Sequence, residues 1–160
     1  MSAQPFMSAT QDHPTTVFSG RFCHGIDESR RVMVPSKWRP KSGKTVLSIL
    51  PWPIGQKQFL LVLPPTRWNM LMDRFSEISL SDEEGAEVER VIGGSSAHLT
   101  LDKAGRLCLP EELAAVAGLQ KEAMFVGRLN KFEIWEPDRF KENSKGNEAV
   151  AAAAIKNLNL

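Results

Sequence analysis

At 160 residues, 42% hydrophobic and 24% charged, the chain has the size and composition of a soluble globular domain with a substantial core. It contains no apolar run of the ~18 residues that span a bilayer, and its start lacks the charged and apolar regions of a secretory signal. Two cysteines, Cys23 and Cys108, make no disulfide framework, so a reducing cytoplasm is expected. Residues 1–16, with two prolines and no hydrophobic periodicity, read as a disordered arm. Val17 to Ile26 reads as a strand with Gly20 and Gly25 as bulge or turn points, followed by a turn over Asp27–Arg31 and a short strand through Val32 and Val34. Pro35-Ser36-Lys37-Trp38 reads as one helical turn stopped by Pro40. Thr45–Leu50 and Phe59–Leu63 are β-prone runs separated by a turn at residues 51–56. Pro65 opens a helix through about Phe75, and Ser81 with Glu84 fits a capping box for a second helix through about Ile92. Gly93-Gly94-Ser95-Ser96 is expected to break that helix as a flexible connector. Downstream, the spacing predicts a helix over Glu111–Ala117 ended by Gly118, a hairpin across Gly127–Asn130, and a helix from Pro137. Alanine-rich Glu148–Ile155 has high helix propensity but no broad apolar stripe, so either a frayed helix or disorder fits it.

The charges are unevenly placed. Seven basic residues against two acidic ones lie between Gly20 and Lys44, and six acidic against one basic between Glu77 and Arg90. Such segregation gives a nearly neutral molecule a basic face.

A duplicated motif organises the chain. Asp27, Arg31 and Pro35 recur as Asp102, Arg106 and Pro110, each 75 positions on, with the aliphatic pair Val32/Val34 answered by Leu107/Leu109. Pro65-Thr66-Arg67-Trp68 recurs as Pro137-Asp138-Arg139-Phe140 at an offset of 72. Two long copies predict an α+β domain of two similar halves rather than a solenoid. The halves are expected at about 17–76 and 93–143, joined by an acidic helix at 77–92, with a tail at 144–160. In each turn the aspartate bonds nearby backbone, and Gly105 allows the positive φ that other residues resist.

Two copies of aspartate-x-x-glycine-arginine, each followed by hydrophobic-x-hydrophobic-proline, resemble the MraZ family of bacterial transcriptional regulators. Phe18-Ser19-Gly20, Pro35-Ser36-Lys37-Trp38-Arg39, Phe132-Glu133-Ile134-Trp135 and the acidic Leu80–Glu84 stretch add to the likeness, which covers about residues 17–143. The resemblance implies a double-split β-barrel related to AbrB-type DNA-binding domains, with peripheral helices. It also implies ring-shaped homo-oligomers, nucleoid-associated, that bind repeats upstream of a cell-division and cell-wall gene cluster. The chain departs from the family at Arg30, which stands where the family has glycine. A left-handed Arg30 would cost roughly 1 kcal/mol relative to glycine, unless that turn is of another type.

The candidate DNA-binding residues are Arg30, Arg31, Lys103 and Arg106, with Arg21 and Lys37 at the margin; Asp27, Asp102 and Gly105 shape the turns. Guanidinium groups contact phosphates and donate bidentately to guanine. The competing reading makes Asp27–Arg31 and Asp102–Arg106 internal ion pairs that only hold the fold; the two readings are compatible. Lys37, Arg39, Lys41 and Lys44 read equally well as a solvated loop. No cofactor or metal is expected, because Cys23, His24, His98 and Cys108 lack zinc-ligand spacing, and both cysteines read as small buried hydrophobes. The carboxylates of residues 82–89 fit helix capping better than catalysis, and no nucleophilic triad is visible, so no enzyme is expected. Trp38, Trp68, Phe75, Trp135 and Phe140 read as core or subunit packing rather than base-stacking platforms. The expected partner is double-stranded promoter DNA. The alternative is a protein-interaction or antitoxin-like module without specific DNA binding.

Overall fold

A computed structural model describes residues 16–160, so the arm expected at residues 1–16 lies almost wholly outside the described residues. The chain forms β1 (Arg21–Gly25), β2 (Arg31–Met33), a 3-10 turn at Ser36–Trp38, β3 (Leu47–Trp52) and β4 (Phe59–Leu63). Helices α1 (Pro65–Ser76) and α2 (Glu83–Ser95) follow, then β5 (Ala97–Leu99), β6 (Arg106–Cys108) and α3 (Glu111–Val116). The chain continues through β7 (Glu122–Gly127), β8 (Phe132–Trp135), α4 (Pro137–Asn143) and α5 (Asn147–Ile155). The fold is therefore mixed α+β.

Every strand pair is antiparallel. One sheet has six strands in the order β1-β7-β8-β4-β3-β5, and β2 pairs with β6 in a separate ribbon. No ladder among the described residues joins the outer strands β1 and β5, so the hydrogen bonding leaves the large sheet open where a closed barrel was expected.

The sheet order reads the same when the halves are exchanged: β1 for β5, β3 for β7, β4 for β8. Each half therefore lends its first strand to the other half's hairpin. Register obeys the same symmetry. Leu61 pairs with Glu133 at the centre of the sheet, and Val32 pairs with Leu107 at the centre of the ribbon. Those residue pairs mark a pseudo-two-fold axis.

Two apolar layers follow from period-2 alternation. Ile49, Leu60, Val62, Phe125, Phe132 and Ile134 pack under the ribbon residues Val32, Val34, Leu107 and Leu109, all buried. On the other face Leu50, Phe59, Leu61, Leu63 and Trp135 pack against Ile92 of α2 and Phe140 of α4. The run Phe59–Leu63 is buried at every position because both of its faces are covered. Trp38, Trp135 and Phe140 are buried in these layers, with Trp68 and Phe75 packed at the edge of the second.

Several expectations need correction. The strand read as ending at Leu50 runs on through Pro51 to Trp52, with Pro51 opposite Leu60. Asp82, not Ser81, caps α2: its carboxylate accepts from the Gly85 N–H at 2.9 Å, while the Ser81 hydroxyl meets Ser79. Gly93, Gly94 and Ser95 form the last turn of α2 rather than a flexible connector, and the Ser95 hydroxyl donates to the Val91 carbonyl. Gly20 takes a positive φ of 97° and Gly25 does not, so only the first breaks the strand. The cysteines are exposed, not buried, because Cys23 and Cys108 occupy the solvent side of outer strands. The tail forms a helix with no buried residue.

Candidate nucleic-acid interface

The two turns are alike bond for bond. The Asp27 carboxylate accepts the Ser29 and Arg31 N–H groups at 2.9 Å and the Arg31 Nε at 2.9 Å. Asp102 does the same with Ala104 at 2.9 Å, the Arg106 N–H at 2.8 Å and the Arg106 Nε at 2.9 Å. The main chain closes each loop with a pair of bonds, Asp27 with Arg30 and Arg31, and Asp102 with Gly105 and Arg106. Hydrogen bonds from the following arginine's backbone N–H hold both aspartates below the ordinary carboxylate range, with the guanidinium contributing less. Each arginine thus has its Nε fixed in the turn. Its terminal Nη groups make no hydrogen bond among the described residues, and both side chains remain over a third exposed. The ion-pair and outward-reaching readings therefore coexist in one geometry.

Arg30 keeps the left-handed turn. Its φ is 61° where Gly105 has 85°, so the turn type is unchanged. A guanidinium contact explains how the larger residue fits. Arg30 donates through Nε to the Leu109 carbonyl at 2.9 Å. In the other half the equivalent carbonyl, Val34, receives the Arg39 Nε at 2.8 Å. Arg39 reaches it by crossing Gly105, where an added Cβ would stand 2.7 Å from the arginine's Cδ. One half supplies the guanidinium from the turn itself, and the other supplies it from a neighbouring loop over a glycine. Arg30 and Arg39 thus hold the carbonyls ahead of Pro110 and Pro35. The duplicated motif alone gives no signal of this exchange.

Pairing within the ribbon sets which side chains share a face. Arg31 lies opposite Cys108 and Met33 opposite Arg106, so all four point away from the buried pair Val32 and Leu107. Arg31 and Arg106 are diagonal cross-strand neighbours, roughly 7–8 Å apart in such a pair. Met33 and Cys108 join this face without having been expected there; their i, i+2 spacing from the arginines was the available signal. Lys103 is exposed at the tip of the second turn, which lines a cleft of about 240 Å³ with the Arg39–Thr45 loop. Lys37 is exposed on the 3-10 turn next to that loop. Arg21 stands apart, at the far end of β1 from the Asp27 turn, with its guanidinium 5.2 Å from the Phe140 ring centre.

The described residues contain no cluster of three metal-ligating side chains and no helix long and apolar enough to cross a membrane. Residues 94–158 match the family model described as "MraZ protein, putative antitoxin-like". A protein of Thermomicrobium roseum named transcriptional regulator MraZ is 34% identical over 125 residues, spanning 78% of this chain and 84% of that one. The chain belongs to the MraZ family. MraZ relatives of the same printed name in Lachnoclostridium phytofermentans and Rickettsia akari are 32% and 29% identical, over 82% and 84% of this chain and 89% and 91% of theirs. The region matching the MraZ model takes in the whole second turn, β6 and the β7–β8 hairpin.

Proposed function

We propose that this protein regulates transcription by binding double-stranded promoter DNA through the β2–β6 ribbon. The observation that carries the reading is the pairing of Arg31 and Arg106 on one solvent-facing ribbon, each oriented by its own aspartate. A two-stranded ribbon fits the major groove, and a guanidinium held by Nε offers its Nη groups to guanine O6 and N7 or to phosphate. Arg30 and Arg39 hold the ribbon's frame, Lys103 and Lys37 add phosphate contacts, and Arg21 contributes little. The printed names of the relatives support regulation. The strand exchange between halves supports a double-split barrel closed by packing of the ribbon over the sheet. On this reading the protein is not an enzyme; it acts as a homo-oligomer in the cytoplasm, at the nucleoid. Its copies engage repeats upstream of a cell-division and cell-wall gene cluster, and linkage raises the avidity of weak single contacts.

The test is binding to the protein's own upstream DNA across a salt series, wild type beside Arg31→Ala/Arg106→Ala. Salt-sensitive specific binding by the wild type, lost in a variant of unchanged assembly, is the expected result. The antitoxin-like wording of the family description favours one second reading, a module that binds a partner protein. That reading expects the double variant to keep its main interaction.

A further inference from the structure

The second apolar layer continues into a groove. Between α1 and the turn joining β7 to β8, a cavity of about 280 Å³ opens over β3 and β4. Trp52 and Met70 line it with leucines of the sheet, and Arg67, Arg74, Arg128 and Lys131 surround it; no carboxylate lines it. Among the described residues only Arg128 of these four has a carboxylate partner, Glu133 at 3.0 Å. Burial lowers the Lys131 pKa, and the Arg128 and Arg67 charges lower it further.

The repeat supplies an internal comparison for Arg67. Its equivalent in the second half, Arg139, donates to the carbonyls of Gln58 at 3.0 Å and Val116 at 3.3 Å. The Arg67 Nε is buried without a partner, and its Nη1 reaches only the Met70 sulfur at 3.8 Å. The same helix position is closed in one half and open in the other.

A complement to this groove must be acidic and partly apolar, and the chain carries one. Glu84, Glu87, Val88 and Val91 fall at i, i+3, i+4 and i+7 along α2, one face of a helix. Gly85 and Ile92 bury the opposite side, and Val88 and Val91 are 44% and 41% exposed. We propose that the outer face of α2 in one copy of this chain seats in the α1/β7–β8 groove of a second copy. Each copy carries both surfaces, so the contact is head-to-tail and propagates to a ring or a chain. The groove lies on the sheet face opposite the β2–β6 ribbon, so the assembly leaves Arg31 and Arg106 uncovered. This rests on the assembly part of the proposed function and names the surfaces that make it.

The test is sedimentation of the full chain as wild type, Arg74→Glu/Lys131→Glu, Glu84→Lys/Glu87→Lys, and an equimolar mixture of the two variants. Each variant alone carries like charges on groove and helix and is expected to self-associate at least tenfold more weakly. In the mixture each groove meets a helix of opposite charge, so assembly is expected to return. Variants that assemble like wild type would overturn the pairing and leave the groove to a foreign acidic partner. So would a mixture of folded variants, checked by circular dichroism, that stays dissociated. A wild type that is monomeric throughout would overturn the assembly reading itself, an outcome distinct from either of these.

Discussion

Arg30 carries opposing contributions at a single position. Its left-handed backbone costs roughly 1 kcal/mol relative to glycine, while its guanidinium bond to the Leu109 carbonyl returns a comparable amount. Arg30→Gly removes both and should leave stability within about 0.5 kcal/mol of wild type. Arg30→Ala keeps the strain, loses the bond, and should cost about 1 kcal/mol. Urea unfolding of the two variants distinguishes this balance from a purely surface arginine, for which alanine would be the milder change. The aspartates of the turns give a second residue-scale prediction. Asp27 and Asp102 have folded-state pKa values below their unfolded ones. Their stabilisation is therefore complete above the unfolded aspartate value of about 4 and is lost as pH falls through the lower folded values. Carboxyl titration by NMR should place both midpoints below those of ordinary exposed aspartates. Asp27→Asn/Asp102→Asn should flatten the acid limb of the stability curve; an unchanged limb would contradict the account.

At the scale of elements, the sequence was most legible where local chemistry decides. Pro65 and Pro137 start helices because a missing N–H costs nothing in a first turn, and Gly118 ends α3 with a φ of 71°. It was least legible where tertiary contacts override local preference. Pro51 stays in β3, and Gly93 and Gly94 complete the last turn of α2, although both glycine and proline read locally as breakers. The cysteines misled because composition predicts burial, whereas ribbon register turns Cys108 outward beside Arg31. The α2 cap could be mistaken because Ser81 and Asp82 are both good N-cap residues; hydrogen bonding selects Asp82. Asp82→Ala should therefore lower stability by about 1 kcal/mol in urea unfolding, and Ser81→Ala by much less.

At the scale of the whole molecule, the repeat announced two halves, but not how they interlock. Neither offset says that β1 joins β7 and β5 joins β3; that exchange follows from burying both faces of one six-stranded sheet. It also places the two motif turns at opposite ends of one ribbon, with both arginines on its outer face. The basic sequence stretch was visible in advance, whereas the shared face was not, because cross-strand register has no local signature. The ribbon's role in DNA binding is tested most directly through its own thiol. Duplex DNA of the bound sequence, carrying a disulfide-activated tether on a major-groove base, is incubated with the unmodified protein. Cys108 lies on the proposed DNA-facing ribbon, whereas Cys23 is exposed on β1 of the sheet. The account predicts cross-linking at Cys108, competed by untethered specific DNA, with Cys23 left free. Specific binding with cross-linking at Cys23 alone, or at neither thiol for any tether position along the site, would contradict it.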